Sequence, residues 1–161
     1  MNVIIGVADC HVTNDASNVL ITYALGSCIA VAIYDPVARV DGLLHFMLPE
    51  GPPADSSLNG KSPYMFADRG IPMLFREAYE KGAQKRRLRV RVAGGASIMD
   101  ERGVFNIGQR NCLAMRKIFW KAGVIVQAEE TGGKTARTMR LEMESGRVYL
   151  RSPDGPPERE L

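Results

Sequence analysis

The sequence predicts an α+β fold, a layered sandwich in which a mixed or mostly antiparallel sheet is covered by two main helices. Three observations predict it. Short apolar runs rich in β-branched residues outnumber helical stretches, and several are joined by tight turns such as Asp35-Pro36 and Ser145-Gly146. Two segments, 64–82 and 109–122, instead read as helices. No internal repeat or linker interrupts the chain, so residues 1–151 are expected to form one domain and SPDGPPEREL (152–161) a flexible tail.

In chain order, VIIGVA (3–8) reads as a first strand. Residues 19–24 and CIAVAIY (28–34) follow, the latter apolar on both faces and therefore central. Asp35-Pro36 opens a turn, because proline pre-sets the φ angle that the second turn position needs. Gly42–Leu48 is the next strand, and PEGPPADSSLNGKSP (49–63) is a long polar loop. In 64–82, Pro72 must kink the helix or begin its main part, and Gly82 stops it. LRVRVA (88–93) alternates and ends at Gly94-Gly95. In 109–122, Cys112, Met115, Phe119 and Ala122 recur at helical spacing with Ile118 widening the stripe, and Gly123 closes the helix. VIVQAEE (124–130), Gly132-Gly133 and TMRLEME (138–144) read as a hairpin, with RVYLR (147–151) as the last strand.

Composition excludes some function classes. The chain has 161 residues, 45% apolar and 24% charged, with a net charge of +3 that calls for neither a nucleic-acid nor a membrane partner. Three widely spaced cysteines make no disulfide framework and fit free thiols in a reducing cytoplasm. The N-terminus lacks the basic region of a secretory signal. The longest apolar stretch, Val19–Tyr34, is broken by Gly26 and Ser27 and is short for a membrane span. A soluble cytoplasmic monomer without membrane insertion is expected.

The chemistry gathers at Cys28 and His45. GLLHFML (42–48) is an apolar strand with one polar side chain, His45. If Asp35–Ala38 form a four-residue connection, Tyr34 faces Arg39 and Cys28 lies directly opposite His45. Directly opposed Cβ atoms lie about 4.5–5.5 Å apart, within reach of a thiol–imidazole hydrogen bond. A slip of one residue would send His45 to the other face. Gly26, two residues before the thiol, permits a sharp turn, so that backbone N–H groups near Ser27 and Cys28 can point at a developing oxyanion. Thr22 on the preceding strand is a candidate third member whose hydroxyl can accept the imidazole N–H and fix its tautomer. The plainer alternative stays open on the pattern alone: a buried cysteine is ordinarily a small apolar residue, and a lone strand histidine a satisfied core group.

These residues also carry a resemblance. TYALGSCIAVAIYDP followed by LLHFMLP resembles the CheD family of chemoreceptor glutamine deamidases, and the match continues in YMFADRGIP, GGASIM (94–99), NIGQRN (106–111) and Gly132-Gly133. The resemblance implies a protein-glutamine deamidase of bacterial chemotaxis, with Cys28 as nucleophile, His45 as general base and acid, and Thr22 orienting the histidine. It further implies a thioester intermediate, release of ammonia, a methylesterase side activity, no metal or organic cofactor, and a scaffold like that of deamidase toxins. The substrate partner it implies is the cytoplasmic helices of chemoreceptors, and the regulator a CheC-type phosphatase. That contact is expected near GGASIM-DERGVF, where Met99 and Phe105 beside glycines offer an adhesive patch. Tyr23 and Ala24 stand where the family has Leu and Gly. Against the deamidase stand a non-catalytic binding module on the same fold and a cysteine peptidase.

Other features carry less. AEETGGKT (128–135) nearly spells a phosphate-binding loop, but Ala128 occupies its first glycine position and an alternating strand follows. KGAQKRRLRVR (81–91) is strongly basic but has no interleaved aromatic platform, so an exposed basic face is expected. Cys10 and His11 are adjacent and point to opposite faces of a strand, and Cys112 belongs to an apolar helix stripe. No zinc site is expected.

Overall fold

A computed structural model describes residues 1–97, 105–155 and 157–161. Along the chain run β1 (Asn2–Ile4), β2 (Asp9–Thr13), β3 (Val19–Leu25), β4 (Ile29–Asp35), β5 (Val40–Phe46), α1 (Ala67–Glu80) and β6 (Arg89–Gly94). Then come α2 (Ile107–Ala122), β7 (Val126–Thr131), β8 (Arg137–Glu142), β9 (Val148–Arg151) and β10 (Arg159–Glu160). The expected α+β sandwich is present, but it holds two five-stranded sheets. An outer sheet has the order β1-β3-β8-β9-β10, and a central sheet the order β2-β5-β4-β6-β7.

The central sheet is covered on both faces, which is why every residue of β4 and β5 is buried. Ile29, Val31, Ile33, Leu44 and Phe46 face the helices and pack with Leu74 and Phe75 of α1 and Met115 and Phe119 of α2. Ala30, Ala32 and Leu43 face the outer sheet and pack with Leu20, Met139 and Leu141. Each such Leu or Ile contributes about 2 kcal/mol by leaving water. In α1 the buried residues Ala67, Gly70, Ile71, Leu74, Phe75 and Ala78 fall at helical spacing. Pro72 lies inside α1, which begins at Ala67 rather than at 64. Residues 63–65 form a separate 3-10 turn, capped by the Ser62 hydroxyl accepting from Tyr64 N–H.

Three expectations are corrected. β7 and β8 are not a hairpin: β7 joins the central sheet parallel to β6, whereas β8 joins the outer sheet antiparallel to β3 and β9. The glycines between them, both at positive φ, carry the chain from one sheet to the other. β2 was not foreseen, because DCHVT lacks a strong apolar alternation; it forms by pairing with β5. The tail is not free throughout. Arg159–Glu160 pair with β9, and Arg159 makes a short ion pair of 2.6 Å with Glu130 on β7.

Asp41 on β5 is fully buried, and neither carboxylate oxygen finds a hydrogen bond among the described residues. Burial pushes its carboxyl up to about 8, against the pull of the Arg39 charge. The folded pKa lies above the unfolded one, so the native state binds the extra proton. The stability tied to that proton is complete below about pH 4 and is lost as pH rises toward about 8. Asp41→Asn is therefore expected to raise stability by about 3 kcal/mol at pH 8.5 and by little at pH 4. Thermal unfolding of both proteins across that range measures the difference; an equal effect at the two ends would refute the desolvation.

Candidate active site

The site forms where the chain passes from one sheet to the other. β3 belongs to the outer sheet and β4 to the central one, and Gly26, Ser27 and Cys28 are the bend between them. The departure is prepared by a register shift. Thr22 pairs with Met139 and Leu25 with Arg137, so Tyr23 and Ala24 bulge out of the ladder. The left-handed residue is Ala24, at φ 57, and not Gly26. At this position, where the sequence departs from the resemblance, a glycine would adopt that φ freely, whereas alanine does so at a cost of about 1 kcal/mol.

Backbone contacts hold the bend from the far side. Gly95 N–H donates to Cys28 O at 2.8 Å, and Ala96 N–H to Gly26 O at 2.8 Å. A Cβ at Gly94 would lie 2.1 Å from Cys28 O, so only glycine allows this approach. Gly26 N–H is taken up by Ala24 O, while no backbone bond among the described residues engages Ser27 N–H or Cys28 N–H. The thiol is half-buried and lines a pocket of about 490 Å³ together with Gly26, Ser27, Ala96, Phe105 and the first residues of α2. Burial pushes the thiol pKa up, with its own backbone N–H pulling the other way.

His45 lies near the end of β5, and the register differs from the one expected. Asp35 pairs with Val40, so the four-residue connection is 36–39 rather than 35–38, and His45 stands opposite Ala30 instead of Cys28. The Asp35 carboxylate fixes this loop by accepting from Val37 N–H and Ala38 N–H at 2.9 and 3.0 Å. Moving the turn by one residue moves the partner by two, and a shift of two preserves the face. Cys28 packs against the inter-sheet cluster, and His45 reaches a residue of the outer sheet from the same side. The two are diagonal rather than direct neighbours, a relation still within reach of long side chains. Among the described residues His45 Nε2 has no hydrogen-bond partner, so thiol and imidazole are not bonded in this state.

The partner on the outer sheet is Thr22. Its Oγ1 lies 2.7 Å from His45 Nδ1 and also donates to Ile5 O at 2.7 Å. A hydroxyl has one proton, and a carbonyl oxygen can only accept. The Thr22 proton therefore goes to Ile5, and His45 Nδ1–H must donate to Thr22. That leaves Nε2 without a proton, as an acceptor. Both side chains are fully buried, and burial pushes the imidazole pKa down to about 4, so it is neutral at physiological pH.

The site contains a residue that the sequence reading passed over. Asn111 of α2 is fully buried, and its Nδ2 donates to Ser27 O at 2.9 Å and Met47 O at 3.0 Å. It ties the segment before the thiol to the segment after the imidazole. A polar residue beside Cys112 on the buried stripe of α2 was the signal available for it. Asn111→Ala is expected to lower kcat about tenfold with little change in KM and to cost about 2 kcal/mol of stability. Steady-state kinetics and urea unfolding measure the two, and an unaltered kcat would remove Asn111 from the site's support. Arg137 buttresses the same region, donating to Gly94 O and Gly132 O at 3.2 and 2.9 Å while pairing with Glu130.

Of the other residues singled out, Phe105 is exposed at the pocket rim and Met99 lies outside the described residues. Cys10 lies beside Glu77 under α1, and Cys112 is on the buried face of α2. No helix among the described residues is long and apolar enough to cross a membrane.

Comparisons with known proteins agree along the chain. The family described as CheD chemotactic sensory transduction matches residues 47–152. A probable chemoreceptor glutamine deamidase CheD 1 of Syntrophus aciditrophicus (strain SB) is 51% identical over 159 residues, covering 96% of each chain. A probable chemoreceptor glutamine deamidase CheD of Solibacter usitatus (strain Ellin6076) is 53% identical over 148 residues, covering 92% of this chain and 87% of that one. Among solved structures, the hypothetical protein YfiH of Bacillus licheniformis overlays with a TM-score of 0.46 at 16% identity, over 76% of this chain and 50% of that one, and this likeness carries no argument.

Proposed function

The chain belongs to the CheD family, and from that premise we propose that it is a cysteine-dependent deamidase acting on glutamine side chains of chemoreceptors. Cys28 is the nucleophile, His45 the general base and then acid, and Thr22 the residue that orients the imidazole. The observation that carries this reading is the hydrogen-bond chain from His45 Nδ1–H to Thr22 and on to Ile5, which leaves Nε2 as the basic nitrogen. A core histidine without a task would have both nitrogens satisfied.

In the reaction, both groups start neutral. Cys28 Sγ attacks the carboxamide carbon as its proton passes to His45 Nε2. Ser27 N–H and Cys28 N–H, which no backbone bond among the described residues engages, donate to the oxyanion beside the Gly26 bend. The imidazolium is held by Thr22 Oγ1 and gives its new proton to the leaving nitrogen, so that ammonia departs and a thioester remains. Water attacks the thioester carbon, His45 takes a proton from it, and the thiolate leaves and is reprotonated. Glutamate is the product. The acyl carbon of a methyl ester would meet the same machinery, so a methylesterase side activity is expected of this site. A CheC-type phosphatase docked at Phe105 would cover the pocket rim.

Incubation with a chemoreceptor cytoplasmic fragment tests the reading. Stoichiometric release of ammonia, with conversion of identified glutamines to glutamate by mass spectrometry, is expected. Backbone cleavage would make the chain a peptidase, and neither product would reduce it to a binding module.

The pH dependence follows from the burial of the base. His45 must be unprotonated to accept the thiol proton, and its pKa is depressed to about 4. Activity is therefore expected to persist as pH falls through about 6.5, the ordinary histidine value, and to be lost only near 4. A kcat/KM profile with its acid midpoint at the ordinary value would contradict a desolvated imidazole.

A further inference from the structure

The two N–H groups assigned to the oxyanion are each held from behind, through the carbonyl of their own peptide. A trans peptide is planar, with its C=O and N–H pointing in opposite directions. Fixing Gly26 O therefore aims Ser27 N–H, and fixing Ser27 O aims Cys28 N–H. Asn111 Nδ2 donates to Ser27 O at 2.9 Å, and Ala96 N–H donates to Gly26 O at 2.8 Å. Asn111 stands on a long helix, whereas Ala96 follows two glycines at positive φ where β6 ends. Such a segment has little stiffness of its own and must be held by others.

Arg137 is the side chain that holds it. On β8 this buried residue stands opposite Leu25, one position before the bend. Its Nη1 donates to Gly94 O at 3.2 Å, its Nη2 to Gly132 O at 2.9 Å and its Nε to Glu130 Oε2 at 2.8 Å. The Glu130 carboxylate is gripped in turn by Arg159 of β10, whose Nη2 donates to Oε1 at 2.8 Å and to Oε2 at 2.6 Å. Two arginines on one carboxylate leave it a single orientation, and the planar guanidinium of Arg137 is oriented with it. We propose that Arg137 is a positioning residue for the oxyanion donors and that Arg159, through Glu130, locks it in place. β10 would then set the geometry of a pocket that neither arginine lines. The inference rests on the deamidase reading and adds a control on that same site.

Arg159 and Glu130 are both about a third exposed, and ion pairs of that kind contribute little to stability. The loss of Arg159 is therefore read in turnover rather than in unfolding. Arg159→Ala is expected to lower kcat on a chemoreceptor fragment about fivefold, with KM and the unfolding midpoint unchanged. Arg137→Lys keeps the charge but loses the three-way fork, and is expected to lower kcat about thirtyfold. In a Glu130→Ala background, removing Arg159 should change kcat no further, because the relay is already cut. Amide hydrogen exchange reads the geometry without turnover: Gly95 and Ala96 N–H should exchange about tenfold faster in Arg159→Ala, while β3 amides keep their protection. Additive losses in the double variant, a change confined to KM, or unaltered exchange at those two amides would overturn the relay. Faster exchange in Arg159→Ala, beside a wild-type chain that deamidates nothing, would instead sink the enzymatic reading and leave the relay standing.

Discussion

Replacing Cys28 by alanine is expected to lower deamidation of a chemoreceptor fragment by about 10³-fold or more. Among the described residues, the pocket beside the Gly26 bend holds one thiol, that of Cys28. The remaining cysteines cannot substitute for it. Cys10 is pushed far up by burial and by the carboxylates of Glu77 and Asp9, on the opposite face of the central sheet. Cys112 is on the buried face of α2, its thiol also raised by burial. Cys28→Ser is expected to be almost as inactive, because a hydroxyl is far less acidic than a thiol and the base on offer is weak. Iodoacetamide should label Cys28 ahead of the other two, and alanine at position 28 should abolish that fast phase. Deamidation counted by mass spectrometry is the decisive reading: a rate within tenfold of the wild type would end the covalent mechanism.

Thr22→Val is expected to lower kcat by about 10²-fold, although Thr22 never touches the substrate. Valine keeps the shape of threonine but removes the oxygen that accepts His45 Nδ1–H. The buried imidazole then has no partner at Nδ1, and the tautomer with its proton on Nε2 is no longer disfavoured. In that tautomer the nitrogen needed as base is already occupied. The imidazolium formed during turnover also loses its acceptor, so the barrier rises twice over. Ile5 O loses its donor as well, and about 2 kcal/mol of stability should go with it. Thr22→Ser restores the hydroxyl and should recover most of kcat, which separates loss of the oxygen from loss of packing. Nitrogen NMR of His45 reports the tautomer itself. A proton remaining on Nδ1 in the valine variant, or an unaltered kcat, would show that orientation comes from elsewhere.

The candidate site residues stood out in the sequence because each breaks a local pattern. His45 is the one polar side chain of an apolar strand, Cys28 follows the only break in a long apolar run, and Thr22 is the polar residue of the preceding strand. The helices were legible from their apolar spacing, and β4 from having no polar face. The face of His45 survived even an error in the turn, because the partner moved by two and strand side chains repeat every two residues.

What the sequence by itself determined is therefore where both helices and most strands lie, which side they present, and which few groups are the candidates for chemistry. Tertiary structure alone decided that there are two sheets, that β7 and β8 part company between them, and that Arg159 returns to pair with Glu130. It also decided that Thr22, on one sheet, meets His45, on the other, and that Asn111 joins Ser27 to Met47. The physical reason is the range of the forces concerned. Alternation and turn chemistry act over a few residues and are written locally, whereas the choice of partner strand is settled only when distant apolar faces compete for burial and each buried polar atom must find its bond.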